Sequence, residues 1–454
     1  MKKNYEIDMC NGPLFGKILA FSIPLMLSGI LQLLFNAADT VVVGRFAGST
    51  ALAAVGTTSS LINLLVNLFI GFSVGANVLT ARYYGARKEK EVSDTVHSAI
   101  FISLISGILL LIIGISITEQ ILIWMGTPDD VLPQAALYLK IYFIGMPVML
   151  LYNFGSSILR AIGDTKRPLY YLIAAGIVNV ILNLIFVVGF QLSVAGVALA
   201  TVISQVISAA LILRCLMKLD GCCRLNLRNL RLEKDKTTQI LRIGFPAGLQ
   251  GVVFSLSNVL IQSSVNSFGS VAMAGNTAAA NIEGFIYMAM NTFHQTAMNF
   301  TSQNFGAGKR ERIPKILLLC LGMVTAVGLV LGISAYLSGT WLLQIYSSDP
   351  DVIRYGLLRM SIICTFYCFC GMMDVLVGSL HGLGYSFLPM VVSLLGACGL
   401  RIVWIYTFFQ WSRSLLVLYI SYPVTWLITA AVHMLCYLII RRKQKAIFLK
   451  TTQA

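Results

Sequence analysis

A single carboxylate lies within the first long apolar run of the sequence, residues 14–43. Asp39 follows Asn36 by three residues and Gln32 by seven, so a helix places all three side chains on one face. A carboxylate at membrane depth costs about 3 kcal/mol on insertion scales, and intramembrane acids commonly mark ion pathways. We therefore expect Asp39 to bind a coupling cation. The alternative is a structural acid that is hydrogen-bonded across a helix interface.

Two pairs of asparagines have the spacing needed to face this acid. Asn179 and Asn183 are one helical turn apart in one apolar run, and Asn63 and Asn67 are one turn apart in another. Amide oxygens beside a carboxylate can accept a proton's hydrogen bond or coordinate a hard cation. We expect Asp39, Asn36, Asn179 and Asn183 to form a site for H⁺ or Na⁺, and we expect no other metal. The amides could instead only join neighbouring helices.

A second polar stripe lies in the carboxyl-terminal half, with a polar residue at every fourth position from Glu283. The members expected to bind substrate or a second ion are Glu283, Tyr287, Asn291 and His294, together with Asp374 from a later run. Arg401 falls near mid-bilayer, where a guanidinium needs an anion. We expect a structural ion pair between Arg401 and either Glu283 or Asp374. The isolated histidines His294 and His433 suit either core positions or a proton relay.

The composition is that of a membrane protein. The 454 residues are 57% hydrophobic and 11% charged, with a mean hydropathy of +0.82, whereas soluble domains average about 25% charged residues. The net charge of +15 comes from basic residues between the apolar runs, which indicates membrane topology and no nucleic-acid partner. The ten cysteines have no metal-ligand spacing, so we expect free thiols.

Twelve apolar runs are long enough to cross a bilayer as helices, so the predicted fold is an all-α polytopic membrane protein. The runs span residues 14–43, 51–80, 96–117, 135–157, 168–190, 194–215, 240–266, 272–300, 314–338, 354–379, 387–410 and 414–440.

Basic residues are concentrated in alternate loops and in the carboxyl-terminal tail, so the positive-inside rule places both termini in the cytoplasm. They are Arg82, Arg87, Lys88, Lys90, Arg160, Lys166, Arg167, several between Arg214 and Arg242, Lys309, Arg310, Arg312, Lys315, Arg441, Arg442, Lys443 and Lys445. The predicted organisation is an amino-terminal lobe (1–217), a polar cytoplasmic linker (218–239), a carboxyl-terminal lobe (240–440) and a basic tail (441–454).

The two lobes repeat each other. Gly85 and Gly306, in similar Gly-Ala contexts, are 221 residues apart, and so are Pro168 and Pro389. Six spans return the chain to its starting side, so both six-helix bundles enter the membrane in the same sense. The pseudo-twofold axis must then lie along the membrane normal, as in secondary transporters that work by alternating access.

No sequence motif indicates catalysis or nucleotide binding. The pattern GxxxxGK[ST] does not occur, and no catalytic triad or metal motif is present. We therefore expect neither an enzyme nor a cofactor, and we expect transport to be driven by an ion gradient.

Three segments resemble the multidrug and toxic compound extrusion (MATE) transporters of prokaryotes. They are Asn36-Ala-Ala-Asp39-Thr40, Leu159-Arg160-Ala-Ile-Gly163-Asp164 and Gln303-Asn304-Phe305-Gly306-Ala307. The resemblance covers the whole chain. It implies an efflux antiporter of the bacterial plasma membrane that exchanges H⁺ or Na⁺ for organic, often cationic, compounds. The expected partners are a small organic substrate and the lipid bilayer, and the expected state is a monomer.

The resemblance also assigns Asp39 to the cation site of the amino-terminal lobe. Many members of the family pair this acid with an Asn and an Asp four residues apart on the fifth helix. Asn179 matches the first, but Asn183 stands where the Asp is expected, which leaves Asp39 as the one buried carboxylate of the lobe. A lipid or oligosaccharide flippase of related fold is the alternative function. Its cavity should hold several cations, and here only Arg401 lies deep.

Overall fold

The computed structural model describes residues 5–453, without the side chains of Ser49, Ser59, Ser60, Asn63, Leu64 and residues 445–453. The expectations for Asn63 and Lys445 therefore lie outside the described side chains. The described backbone is helical with connecting loops and contains no strand.

The helices of the first half follow the predicted apolar runs. They are α1 (Leu14–Phe46), α2 (Ser49–Gly85), α3 (Glu89–Trp124), α4 (Leu132–Ile144), α5 (Met146–Ala161), α6 (Lys166–Asn183) and α7 (Ser193–Lys218). The α4–α5 pair is one span bent by 48°, and it corresponds to the single apolar run 135–157 of the sequence. The bend coincides with Gly145 and Pro147, which has no backbone N–H to donate to the preceding turn.

The second half has the same number of crossings. Its helices are α8 (Lys234–Asn266), α9 (Ser270–Gly306), α10 (Arg312–Leu337), α11 (Gly339–Gln344), α12 (Pro350–Gly382), α13 (Phe387–Ser393), α14 (Leu400–Tyr406), α15 (Phe408–Trp411) and α16 (Leu415–Gln453). Counting the α4–α5 pair as one span, eleven segments of the described part of the chain are long and apolar enough to cross a membrane. The twelfth crossing is α9, which has 37 residues and carries the predicted polar stripe.

Two of the crossings contain a π-helical segment. Residues Leu184–Gly189 continue α6, and residues Leu394–Gly399 join α13 to α14. A π-helix has i→i+5 hydrogen bonds and fits an extra residue into the turn, so it rotates the faces of the helix that follows it. Both segments directly follow a buried polar residue, Asn183 and Ser393 respectively.

The chain divides into two compact units. The amino-terminal unit contains residues up to Leu249 with Gly306–Gly308, and the carboxyl-terminal unit contains Gln250–Phe305 with the residues from Lys309 onward. In the amino-terminal unit, α3 and α7 both pack against α5, around fully buried side chains such as Leu150, Phe154 and Ile158. In the carboxyl-terminal unit, α12 packs against α10 and α16.

The polar segment between the repeats is attached to the amino-terminal unit. Cys223 and Leu225 are buried in its core, and the backbone N–H of Asn226 donates to His97 Nε2 at 3.1 Å. Helix α8 begins at Lys234, inside the segment 218–239 that the sequence predicts as a linker. Lys236 forms an ion pair with Glu91 of α3, which holds this first turn of α8 in place.

Candidate functional site

Three helices of the amino-terminal unit place polar groups around Asp39. The Asp39 carboxylate accepts a hydrogen bond from Asn183 Nδ2 of α6 and one of 3.4 Å from Thr201 Oγ1 of α7. Asn183 Nδ2 also donates to Asn179 Oδ1 at 3.3 Å. Asp39 is half-buried, whereas Asn179 and Asn183 are buried. The acid and the two amides of α6 therefore form one hydrogen-bonded group, the Asp39 cluster, of which Thr201 is the fourth member.

A close helix contact brings the acid to the amides. Gly176 of α6 lies against the ring of Phe35 of α1, and a Cβ placed on Gly176 would come within 1.9 Å of the Phe35 ring. A residue without a side chain is therefore needed here for α1 to approach α6 so closely. Gly176 is two turns before Asn183, so the contact sets the separation of the two helices at the Asp39 cluster.

One atom of the Asn183 side-chain amide makes no hydrogen bond in the described part of the chain. This atom is Oδ1, which is buried. A buried acceptor without a partner is uncommon, and here it is next to a carboxylate. Rotation of the amide would point Oδ1 at Asp39, where it could accept a hydrogen bond from the protonated acid or coordinate a cation with the carboxylate.

Asn36 does not contribute to this cluster. Its side chain is exposed, and the hydrogen bond made near it joins Thr40 Oγ1 to the Asn36 backbone carbonyl. Thr201 was not found by sequence reasoning. The signal that could have found it is a polar pair one turn apart in an apolar run, Thr201 and Gln205.

In the carboxyl-terminal unit, Glu283, one of the two expected partners of Arg401, pairs with a different arginine. Glu283 of α9 forms a two-point ion pair with Arg359 of α12, with Oε1–Nε at 2.9 Å and Oε2–Nη2 at 2.6 Å. A third bond joins Arg359 Nη1 to Asn276 Oδ1 at 2.8 Å. All three side chains are buried, so the charge of Glu283 is already neutralised inside the unit.

The predicted ion pair of Arg401 is therefore wrong. Among the described residues the Arg401 guanidinium forms no salt bridge, and it donates to Ser257 Oγ and Thr425 Oγ1, each at 3.3 Å. Its Cζ lies 4.3 Å from the centre of the Tyr422 ring, a cation–π contact that stabilises a buried cation. Arg401 is the second residue after the π-helical segment Leu394–Gly399, and its two hydroxyl partners lie on α8 and α16.

The remaining residues of the predicted carboxyl-terminal site do lie together. The Tyr287 hydroxyl lies near the Asp374 side chain and accepts a hydrogen bond from Asn291 Nδ2 at 3.4 Å. His294 Nδ1 is 2.7 Å from the Asp374 backbone carbonyl. These residues form the Asp374 cluster, a buried acid with a phenol, an amide and an imidazole nearby. Glu283 is the member of the predicted set that is engaged elsewhere.

No group of three or more His, Cys, Asp or Glu side chains in the described part of the chain could hold a metal ion. The two clusters are suited to protons or to a weakly bound alkali cation, which carboxylate and amide oxygens coordinate. Twelve crossings in two repeats, each with an acid inside the helix bundle among amides or hydroxyls, define a polytopic membrane transporter.

Comparison with known proteins gives the family. The MatE family model matches twice, over residues 24–185 and 246–407, so the two matches start 222 residues apart. The chain therefore belongs to the MatE family, whose members are transporters, and the expectation of a transporter rather than an enzyme is confirmed. The repeat read from the sequence corresponds to the two copies of the family domain.

Relatives and solved structures agree over nearly the whole chain. The chain is 27% identical over 420 residues to a probable multidrug resistance protein, YoeA of Bacillus subtilis, covering 90% of each protein. It is 22% identical over 374 residues to the multidrug export protein MepA of Staphylococcus aureus MSSA476, covering 82% of each. A MOP superfamily transporter from Pyrococcus furiosus superposes with a TM-score of 0.92 at 21% identity, over 98% of this chain and 100% of that one. At 21% identity, the similarity to this transporter shows a shared fold and no more.

Proposed function

We propose that this protein is a multidrug efflux antiporter of the bacterial plasma membrane that exchanges an inward-moving cation for an outward-moving organic compound. The names of its relatives, multidrug resistance and multidrug export proteins, support this substrate class. The observation that carries the coupling step is the hydrogen bond from Asn183 to Asp39 beside an unused Asn183 oxygen. We further propose that both termini are cytoplasmic and that the monomer is the working unit.

The proton is the coupling ion that this geometry favours. Proton binding needs one oxygen of Asp39 and one acceptor, and rotation of the Asn183 amide supplies that acceptor. Sodium would need several oxygens at once. Asp39, Asn179, Asn183 and Thr201 could supply them, so sodium is the alternative coupling ion. In either case the ion neutralises the acid and changes the hydrogen bonds between α1 and α6.

Coupling follows from this change if the ion and the substrate prefer different conformations. A ligand shifts an equilibrium between two conformations only by the difference in its affinities for them, and the shift is reciprocal. We propose that ion binding at Asp39 favours the conformation that releases substrate outside. Ion release to the cytoplasm then favours the conformation that binds substrate inside. We also propose that the Asp374 cluster binds a second ion or a cationic substrate.

A lipid flippase is less well supported by the charges of the carboxyl-terminal unit. Binding a pyrophosphate calls for several uncompensated cations. Of the two buried arginines described here, Arg359 is neutralised by Glu283, and Arg401 alone has no carboxylate partner.

Transport by purified protein in liposomes tests the proposal. We expect a fluorescent organic cation to move against its gradient when a pH difference is imposed, and the Asp39→Asn variant to lose this movement while it still folds. A sodium difference that drives transport while a pH difference does not would replace the proton with sodium. Transport driven by neither ion, or lipid scrambling without ion dependence, would reject the antiporter.

A further inference from the structure

Three of the four histidines of the chain belong to the carboxyl-terminal unit. His294 is on α9, His381 is on α12 next to its last residue, and His433 is on α16. His381 is 3% exposed and His433 is fully buried. Both ring nitrogens of His381 lack a hydrogen-bond partner among the described residues, and so does Nδ1 of His433.

The three imidazoles are connected to Asp374 at one end. His294 and His381 meet edge to face, with ring centres 5.8 Å apart, and His294 Nδ1 is 2.7 Å from the backbone oxygen of Asp374. His433 lies on α16, which packs against the α12 helix that carries His381, and His433 Nε2 is 3.2 Å from Ser393 Oγ. The rings therefore link α9, α12 and α16 beside the buried acid.

A glycine allows this approach of α9 and α12. A Cβ on Gly378 would come within 2.3 Å of the His294 backbone oxygen, so the two helices are in backbone contact one turn from both Asp374 and His381. At this separation the His294 and His381 rings meet directly, with no intervening aliphatic side chain.

The surroundings of the histidines contain further polar atoms that have no protein partner. Among those on the same three helices, or just after α12, are Asn299 Oδ1, Thr301 Oγ1, Ser379 Oγ, Ser386 Oγ and Tyr437 Oη. Buried polar groups are normally satisfied by protein or by ordered water, and buried waters typically bond to such otherwise unpaired groups. Buried polar atoms of this kind, on the helices that carry the histidines, are the expected partners of internal water.

We infer that His294, His381 and His433, with internal water, form a proton relay that connects the Asp374 cluster to the membrane face where α12 ends. The relay rests on the proposed function, because it transfers the proton that a second coupling site at Asp374 would use. His381 is its central member. A neutral imidazole accepts a proton at one nitrogen and releases the proton from the other nitrogen, so each transfer leaves the relay unchanged after the rings reset.

Other titratable or charged groups face the two ends of this relay. Tyr287 and Cys370 are near Asp374, and Tyr437 of α16 is near Arg441. The side chains from α13 and α8 are Ser393 and Gln250, which are hydrogen-bonded to each other at 2.8 Å and do not titrate in the physiological range. The three histidines are thus the groups between the two ends that can exchange protons near neutral pH.

The test compares transport driven by a pH difference with substrate counterflow at equal pH, which needs no net proton movement. We expect His381→Phe to lower pH-driven transport by about a hundredfold, the scale of removing a proton-transfer group, and to leave counterflow within about twofold. Asp374→Asn should lower pH-driven transport by a similar factor. The double variant should be no worse than either single variant, because residues of one pathway are not additive.

Two controls keep the outcome unambiguous. His97→Gln alters the one histidine outside the cluster, whose ring nitrogens contact Ser93 and Asn226, and should leave both transport modes unchanged. His381→Gln keeps a polar group for water but cannot relay a proton through a ring, and it serves if the Phe variant does not fold. Wild-type-like pH-driven transport in a folded His381 variant overturns the relay alone. Absence of pH-driven transport in the unaltered protein rejects proton coupling and the relay together.

Discussion

Glu283 and Arg359 form a buried two-point ion pair between α9 and α12, with contacts of 2.6 and 2.9 Å. Removing one partner leaves the other charge buried, which costs about 3–5 kcal/mol. We expect Arg359→Met and Glu283→Gln each to lower the free energy of unfolding by about this amount. Replacing both residues with Met should cost less than the sum of the two single changes. Thermal unfolding of the protein in detergent measures all of these variants.

Arg401→Met is the variant whose loss of stability is to be compared with that of Arg359→Met. Arg401 is equally buried but donates to two hydroxyls and stacks on Tyr422, with no carboxylate left behind when it is removed. We expect its loss to cost about 2 kcal/mol, the scale of a desolvated cation–π contact. A melting temperature lowered as far by Arg401→Met as by Arg359→Met would contradict this account of the two arginines.

Asn183→Ala should weaken ion coupling without unfolding the protein. The change removes the donor to Asp39 and the buried oxygen beside it. A hydrogen bond to a charged group contributes about 1.5–3 kcal/mol, so we expect gradient-driven transport to fall about tenfold or more. Asn153→Ala is the control, because Asn153 donates only within its own helix, to the Met149 carbonyl. Equal transport losses in the two variants would remove Asn183 from the coupling site.

Gly176→Ala should push α1 away from α6. The new Cβ would overlap the Phe35 ring, and overpacking of this kind costs about 1–3 kcal/mol. We expect a lower melting temperature together with reduced coupling. Gly56→Ala on α2 places its Cβ in open space and should be neutral or stabilising by up to about 1 kcal/mol, since Ala favours the helix. A Gly176 variant as stable and as active as the Gly56 variant would show that this contact does not set the helix separation.

Of the two cysteines in the segment 218–239, Cys222 should be the one whose rate of alkylation changes with pH near neutrality. A hydrogen bond from Cys223 lowers the pKa of the Cys222 thiol to about 7, whereas the same interaction and burial raise the pKa of Cys223. The thiolate is the reactive form and its fraction rises with pH, so the rate of alkylation by iodoacetamide should rise about tenfold between about pH 6 and 8. Peptide mapping by mass spectrometry measures the rate at each cysteine.

Cys223→Ala removes the hydrogen bond and should move the midpoint for Cys222 upward, toward the value of a free thiol. An unchanged midpoint in this variant would mean that the neighbouring thiol does not stabilise the Cys222 thiolate.

The sequence alone determined the crossings, the repeat and the main acid of the amino-terminal unit. Backbone polar groups in lipid must be satisfied within the chain, so apolar runs of sufficient length have to become helices. Helical periodicity then places Asn179 and Asn183 on one face of their helix. The structure adds the hydrogen bonds that connect them to Asp39.

Contacts between helices that are distant in sequence were decided only by the tertiary structure. Periodicity shows which residues share a face but not which neighbour that face meets. Thr201 joins Asp39, Glu283 pairs with Arg359, and His381 lies against His294 because of how the helices pack. Arg401 shows the physical reason most directly. The π-helical segment before it changes the rotation of the chain by an extra residue, and no hydrophobic pattern records that change.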